Sequence, residues 1–125
     1  MTSDAKGPYR PIIHRFALGA AEVTTILDGA HLRDPIKPPF ALDRDDHQIA
    51  ATAAANYLPA TGFENTYTPT VIQTGGQVVL FDTGFGAGGR GSHAGHLLDR
   101  LAPAGCAPGH LHAVSYTHSA LPTPA

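Results

Sequence analysis

A predicted β-hairpin constrains the fold of this chain more than any other feature of its sequence. Residues 66–74 and 77–82 are rich in β-branched and apolar side chains, and Gly75-Gly76 separates them. A Gly-Gly pair between two such runs is typical of a tight turn with positive φ. The continuous apolar run at 78–81 predicts that the second strand is buried on both faces. That strand runs directly into an Asp-Thr-Gly sequence.

Two further strands are predicted close to the N-terminus. Residues 10–17 and 22–27 are rich in Ile, Val, Thr and Phe, which favours a second hairpin. The second of these strands ends at Asp28-Gly29, which we interpret as a turn. Residues 1–14 are expected to be flexible.

The segment 30–66 interrupts the strand pattern. Its prolines exclude regular structure locally, because proline fixes φ and lacks an amide donor. One helix is predicted at 43–56, where three aspartates in the first turn favour the helix dipole. We therefore interpret 30–66 as an insertion with one helix.

The last third of the chain predicts a loop, a helix and a strand. A glycine-rich loop at 84–91 precedes Ser92, a suitable N-cap for a helix that extends to about residue 102. Its apolar stripe consists of Leu97, Leu98 and Leu101. Residues 111–116 predict a final strand. Antiparallel strands followed by a loop-helix-strand unit indicate an α+β fold.

Size, charge and cysteine content exclude several functional classes. A chain of 125 residues has the usual size of one domain. The net charge of −2 provides no electrostatic reason to expect nucleic acid or an anionic membrane as a partner. No apolar run approaches the roughly 18 residues of a membrane span. The single cysteine, Cys106, excludes an internal disulfide and fits a reducing compartment, so a cytoplasmic protein is expected.

Three segments in a particular order carry a family resemblance. Residues 69–84 form a predicted strand pair ending in Asp-Thr-Gly, 95–101 a connecting helix, and 111–118 a strand ending in Thr117-His118. In this order they resemble the N-terminal half of a metallo-β-lactamase-fold metallohydrolase. The resemblance implies that residues 1–125 form a single partial domain, one half of an αββα four-layer sandwich.

The resemblance also implies a chemistry and a set of site residues. In that family a Thr-His-x-His-x-Asp-His motif binds two zinc ions, and the metal pair activates a hydroxide that hydrolyses the substrate. His118 corresponds to the first metal ligand, and Asp82 to a residue that orients the ligands through hydrogen bonds. The implied substrate is a small ester, lactone, thioester or amide. Asp82 has a second interpretation, as a cap of the strand-to-loop turn through local backbone bonds.

The zinc motif is interrupted immediately after its first histidine. Ala120, Pro122 and Thr123 stand where the family has histidine, aspartate and histidine. Alanine and proline have no side-chain ligand atom, and threonine is a poor zinc ligand beside imidazole and carboxylate. We therefore expect no bound zinc, assign no catalytic residue, and expect the chain to be inactive. Residues 119–125 are interpreted as an off-pattern tail of a fragment, or as the product of a frameshift after Ser119.

Other residues leave alternative functions open. The pairs His93/His96 and His110/His112 have spacings that suit metal ligands, but histidines without a metal are the favoured explanation for both pairs. Gly84, Gly86 and Gly89 form a G-x-G-x-x-G pattern that could cradle a phosphate, although the acidic residue expected about 20 positions later is missing. The alternatives to an inactive hydrolase are a non-catalytic fragment, a binding domain without metal, or a nucleotide-binding βαβ module. The sequence does not determine the oligomeric state.

Overall fold

The structure is a computed structural model that describes residues 11–38 and 40–115. Its secondary structure consists of two runs of three strands separated by one helix, then a second helix and a last strand, which is an α+β arrangement. The strands are β1 (Ile13–Leu18), β2 (Ala21–Ile26), β3 (Gly29–Arg33), β4 (Phe63–Tyr67), β5 (Thr70–Thr74), β6 (Gln77–Phe81) and β7 (Ala113–Ser115). The helices are α1 (Asp46–Ala55) and α2 (Leu97–Leu101), with short 3-10 turns at Ala87–Ser92 and Pro108–His110.

The chain divides into two compact units. The described residues within Met1–Gly29 and Tyr67–Ala125 form the first unit, and Ala30–Thr66 forms the second. The first unit contains a five-stranded sheet in the order β1-β2-β5-β6-β7. A separate two-stranded sheet pairs β3 with β4.

The predicted central hairpin forms, but its first strand is shorter than the predicted 66–74, because residues 66 and 67 belong to β4 in the other sheet. Strands β5 and β6 pair antiparallel with Thr74 opposite Gln77. Gly75 and Gly76 adopt φ values of 56° and 74°, which a side chain would disfavour. Strand β6 then pairs in parallel with β7, so the two strands end at the same edge of the sheet.

One face of the five-stranded sheet, here called the helix face, carries the hydrophobic core. Apolar side chains of β2, β5 and β6 cluster there with α2 and the segment that follows it. The cluster comprises Ile26, Val71, Val78, Leu80, Leu97, Leu101, Ala104 and Cys106. Two arginines reinforce this packing, because Arg15 donates to the Ala104 carbonyl and Arg100 to the Leu27 carbonyl.

The opposite face, here called the open face, is apolar, with Val23 buried at its centre and exposed side chains at its margins. Phe16, Val23, Ile72 and Val79 are cross-strand neighbours in an unbroken row over β1, β2, β5 and β6. At the margins of this face Phe16 is 41% exposed and Phe81 43% exposed. The prediction that β6 is buried on both faces is therefore wrong. Val78 and Leu80 reach the core, whereas Phe81 on the other face is exposed.

Helix α2 is shorter than predicted. It begins at Leu97 and not after Ser92, because His93 and Gly95 have φ values of 61° and 81°, outside the range of a right-handed helix. Leu97 and Leu101 are buried, but Leu98 is 67% exposed. Residues four apart share a helix face and adjacent ones do not, so the predicted stripe of three leucines is wrong at Leu98.

The second unit consists of α1 and the β3–β4 pair, with their connecting segments. Helix α1 lies within the predicted range and starts at Asp46. Its N-cap is Asp45, whose carboxylate accepts from the Gln48 N–H at 2.8 Å, while the Gln48 side chain accepts from the Asp45 N–H at 3.1 Å. This capping box satisfies two amide donors at the start of the helix.

The two ends of the described chain differ from the predictions in length. Of the residues expected to be flexible, Ile13 and His14 belong to β1 and pair with Ile26 and Thr25. Strand β7 has three described residues, Ala113–Ser115, within the predicted range 111–116.

Neither described helix has the length and apolar character needed to cross a membrane.

Candidate functional site

Asp82 lies where the parallel strands β6 and β7 end. Its N–H donates to the Ser115 carbonyl oxygen at 2.7 Å. Its carboxylate accepts from the Gly84 N–H at 2.9 Å, and its φ is 72°. Asp82 therefore caps the turn from strand into loop, which is one of its two predicted roles. The other role involves His118, which lies outside the described residues.

A second aspartate, Asp28, forms the buried centre of the same region. Its side chain is fully buried at the end of β2. The carboxylate accepts three backbone N–H groups, from Gly95 at 2.8 Å, Leu97 at 2.9 Å and Phe85 at 3.1 Å. A buried carboxylate is stabilised only when such donors replace water. Asp28 therefore joins the end of β2 to the glycine-rich loop and to the start of α2.

The backbone of Asp28 completes this connection. Its N–H donates to the Tyr67 carbonyl oxygen at 2.8 Å, and its own carbonyl accepts from the His96 N–H at 3.0 Å. The Tyr67 and Phe85 rings pack edge to face with centroids 4.4 Å apart. The sequence predicts only a turn at Asp28-Gly29 and does not predict this role of Asp28. An Asp-Gly pair after a strand does not indicate whether distant amides will surround it.

Close packing around Asp28 explains two of the glycines in the loop region. A Cβ atom at Gly84 would lie 2.4 Å from Oδ1 of Asp28, and a Cβ atom at Gly95 would lie 1.9 Å from the Gly86 carbonyl oxygen. Both distances are too short for non-bonded atoms. Gly84 therefore allows the loop to approach a carboxylate of the protein itself, and Gly95 allows the turn before α2 to approach the loop backbone.

The same geometry bears on the phosphate-cradle alternative. A phosphate bound by a glycine-rich loop accepts hydrogen bonds from backbone N–H groups of the loop and of the following helix. Here the N–H groups of Phe85, Gly95 and Leu97 already donate to the Asp28 carboxylate. This arrangement argues against nucleotide binding at the loop.

The substitution Gly95→Ala is expected to lower the free energy of unfolding by about 1–3 kcal/mol, because the added methyl group overpacks the loop at a positive φ. Gly88→Ala is the matched control, since a Cβ atom at Gly88 meets nothing within 4 Å. Urea denaturation followed by circular dichroism measures both effects. Equal stabilities of the two variants would contradict the packing argument.

The histidine pairs do not assemble a metal site in the part of the chain that the structure describes. His93 is exposed in the turn before α2, and His110 lies in an exposed 3-10 turn. His112 has a different role. Its ring Nδ1 atom accepts from the Val78 N–H at 3.0 Å, and its backbone N–H donates to the Val78 carbonyl oxygen at 2.8 Å. Across residues 11–38 and 40–115, no three His, Cys, Asp or Glu side chains form a group that could hold a metal ion.

The cysteine is part of the core. Cys106 is 3% exposed, and its thiol contacts the Ala104 carbonyl oxygen at 3.6 Å. A buried thiol of this kind behaves as a small apolar side chain.

Comparison with solved structures identifies the fold. The chain superposes with a TM-score of 0.73 on AidC, a dizinc quorum-quenching lactonase solved in complex with the product N-hexanoyl-L-homoserine, at 20% identity over 85% of this chain and 35% of that one. It superposes equally, with a TM-score of 0.73, on the hydrolase AbOPH of the beta-lactamase superfamily, at 22% identity over 89% of this chain and 37% of that one. The chain has the metallo-β-lactamase fold.

This assignment confirms the predicted α+β class and the N-terminal half of a metallo-β-lactamase-like sandwich. This chain spans little more than a third of the length of either solved structure. No protein-family model matches the sequence. No curated protein matches it either.

Proposed function

We propose that this chain is the N-terminal part of a zinc hydrolase of small esters, lactones, thioesters or amides, and that these 125 residues alone do not catalyse hydrolysis. The proposal rests on one observation: the described sheet has the strand order of the fold, whereas the family's zinc motif is interrupted in the sequence. The Asp-Thr-Gly turn and strand β7 occupy neighbouring positions, and the residues after His118 lack the ligands of the family.

The sheet topology supports the position of such a site. Strands β6 and β7 are parallel, so Asp82 and Ser115 lie at the same edge of the sheet. Ligands and catalytic groups of α/β enzymes commonly lie beyond the carboxyl ends of parallel strands. We propose that His118 and Asp82 belong to this edge as the first ligand of an incomplete metal motif, which alone does not hold zinc, and its supporting residue.

The side chains of the described residues that could ligate a metal do not fit a pair of zinc ions. The Asp82 carboxylate accepts from the Gly84 N–H, and Nδ1 of His112 accepts from the Val78 N–H. Structural and catalytic zinc sites need at least three protein ligands. His118 followed by Ala120, Pro122 and Thr123 supplies one, so no step of a zinc mechanism is assigned to this chain.

The exposed apolar side chains of the open face support the proposal that this chain is only part of a domain. A sheet in a sandwich normally buries both faces, one against helices and one against a second sheet. Here the helix face is buried, whereas Phe81 and Leu18 on the open face remain 43% and 67% exposed. We propose that a second sheet, which completes the fold in the whole hydrolase, covers the open face.

Zinc analysis of the purified chain tests this proposal. We expect well below one zinc ion per chain after dialysis against zinc-containing buffer without chelator, and no hydrolysis of a γ-lactone above the uncatalysed rate. The variant His118→Ala is the control and should have the same zinc content. One zinc ion per chain that is lost in His118→Ala would overturn the proposal.

The composition of the chain supports a proposal about its cellular location and its partners. We propose a cytoplasmic protein without nucleic-acid or membrane partners, supported by a net charge of −2 and a single cysteine. The departure from the family motif after Ser119 supports a change of reading frame at that position. The nucleotide sequence tests this, because an alternative frame should encode a His-x-Asp-His-like stretch.

A further inference from the structure

The open face of the five-stranded sheet has the properties of an interaction surface. The apolar row from Phe16 to Val79 crosses four of its strands, and a second row of cross-strand neighbours runs beside it. That second row consists of His14, Thr25, Thr70 and Phe81. Scattered apolar side chains are common on protein surfaces, but a contiguous apolar surface rimmed by polar residues marks a contact with another molecule.

The open face carries no Asp, Glu, Lys or Arg in the strands that the structure describes. The two charged residues of this sheet are Arg15 and Glu22, which form an ion pair of 3.3 Å between Nε and Oε1. Both lie on the helix face, where Arg15 donates to the Ala104 carbonyl oxygen. A charged occupant of the open face would lose its hydration without gaining an ionic partner. The open face therefore selects an uncharged surface.

A second copy of the same face meets this requirement. In a two-fold pairing each patch contacts its own equivalent, so a charged patch would face like charges, whereas an uncharged patch would not. Two sheets also pack face to face only when their twists agree, with their strands within about 30° of each other. A copy supplies a sheet of equal width and twist. A single helix or a small ligand would cover only part of five strands.

The dimensions of the open face determine the expected strength of the contact. Five strands about 4.8 Å apart, each contributing about five residues at about 3.3 Å, give a footprint of roughly 400 Å² per copy. Because side chains roughen the surface, two copies bury about 1,000 Å² of accessible area, at the lower limit of specific interfaces. We therefore expect a reversible dimer of micromolar affinity.

We propose that two copies of this 125-residue chain pair through their open faces and form a two-sheet sandwich around a two-fold axis. The helix faces, with α2, lie on the outside of this dimer. The inference goes beyond the proposed hydrolase function, because it requires neither metal nor catalysis. It assigns the open face of the chain to a second copy of itself.

Sedimentation equilibrium of the full chain in a buffer containing EDTA tests the proposal. We expect a monomer–dimer equilibrium with a dissociation constant of about 1–100 µM, which weakens by less than about twofold between about 0.05 and 0.5 M NaCl because no ion pair crosses the interface. A monomer at all concentrations up to about 500 µM, a larger loss of affinity with salt, or growth beyond the dimer would each overturn the proposal. The chelator excludes metal-bridged association, so the result is independent of the hydrolase proposal.

Lysine substitutions at two adjacent residues of β1 locate the interface. Phe16→Lys places a charge on the open face and should weaken the dimer by at least about tenfold, because the ammonium group would lose its hydration on pairing. Ala17→Lys is the matched control. Ala17 is exposed on the other face, opposite Glu22, and its replacement should change the dissociation constant by less than about twofold.

Two outcomes of this comparison would contradict the assignment. Equal weakening by both substitutions would indicate pairing along the free edge of β1, and an unchanged dissociation constant in a folded open-face variant would exclude the open face. If circular dichroism shows that Phe16→Lys does not fold, Phe81→Lys introduces the same charge at the opposite margin, where the wild-type side chain is 43% exposed. It should weaken the dimer in the same direction.

Discussion

Asp28→Ala is expected to lower the free energy of unfolding of the chain by more than about 3 kcal/mol, because it leaves two buried N–H groups and one partly buried N–H group without an acceptor, at about 1–3 kcal/mol for each buried group. Those donors belong to Phe85, Gly95 and Leu97. Loss of the carboxylate also releases the glycine-rich loop from the end of β2. Urea denaturation monitored by circular dichroism measures the change.

Asp82→Ala provides the control for this prediction. Asp82 is also an aspartate at the end of a strand, but it is exposed and accepts one local hydrogen bond, from Gly84. We expect its replacement to cost less than about 1.5 kcal/mol. Asp28→Asn should fall between the two alanine variants, because the amide retains one acceptor oxygen and turns a donor towards other donors. If Asp28→Ala and Asp82→Ala were equally stable, the buried role of Asp28 would be wrong.

Leu101→Ala is expected to lower the free energy of unfolding by about 2–5 kcal/mol, the usual cost of truncating a buried leucine. Leu101 is 3% exposed and belongs to the core cluster on the helix face. The lost side chain leaves a cavity between α2 and the sheet that the surrounding residues can fill only in part. Chemical denaturation of the full chain measures the effect.

Leu98→Ala is the matched substitution on the same helix. Leu98 is 67% exposed, so its truncation should change the stability by less than about 0.5 kcal/mol. Comparable losses for both leucines would contradict the described orientation of α2. The comparison is informative because the sequence pattern alone assigned both residues to one apolar stripe.

The elements that the sequence predicted correctly are those whose causes are local. The β5–β6 hairpin depends on Gly75-Gly76 and on the strand residues on either side. Helix α1 depends on a capping box between Asp45 and Gln48, three residues apart. Short-range sterics and hydrogen bonds of this kind are visible in a few consecutive residues.

The incorrect predictions concern burial. The run at 78–81 is apolar throughout, yet only alternate residues of β6 reach the core. Apolar periodicity shows which residues a strand could bury, whereas the elements packed on each face determine which residues are buried. The start of α2 was misplaced for a related reason, since the positive φ values at His93 and Gly95 accompany the close approach of this turn to Asp28.

For the candidate site, the Asp-Thr-Gly turn and the position of Asp82 after β6 can be identified from the sequence alone. Only the tertiary structure revealed that Asp28 is the buried acceptor beneath the glycine-rich loop. Its donors lie 57, 67 and 69 residues further along the chain. No local pattern encodes such separations. The hydrogen bonds form only when β2, the loop and α2 pack together and exclude the water that would otherwise solvate the carboxylate.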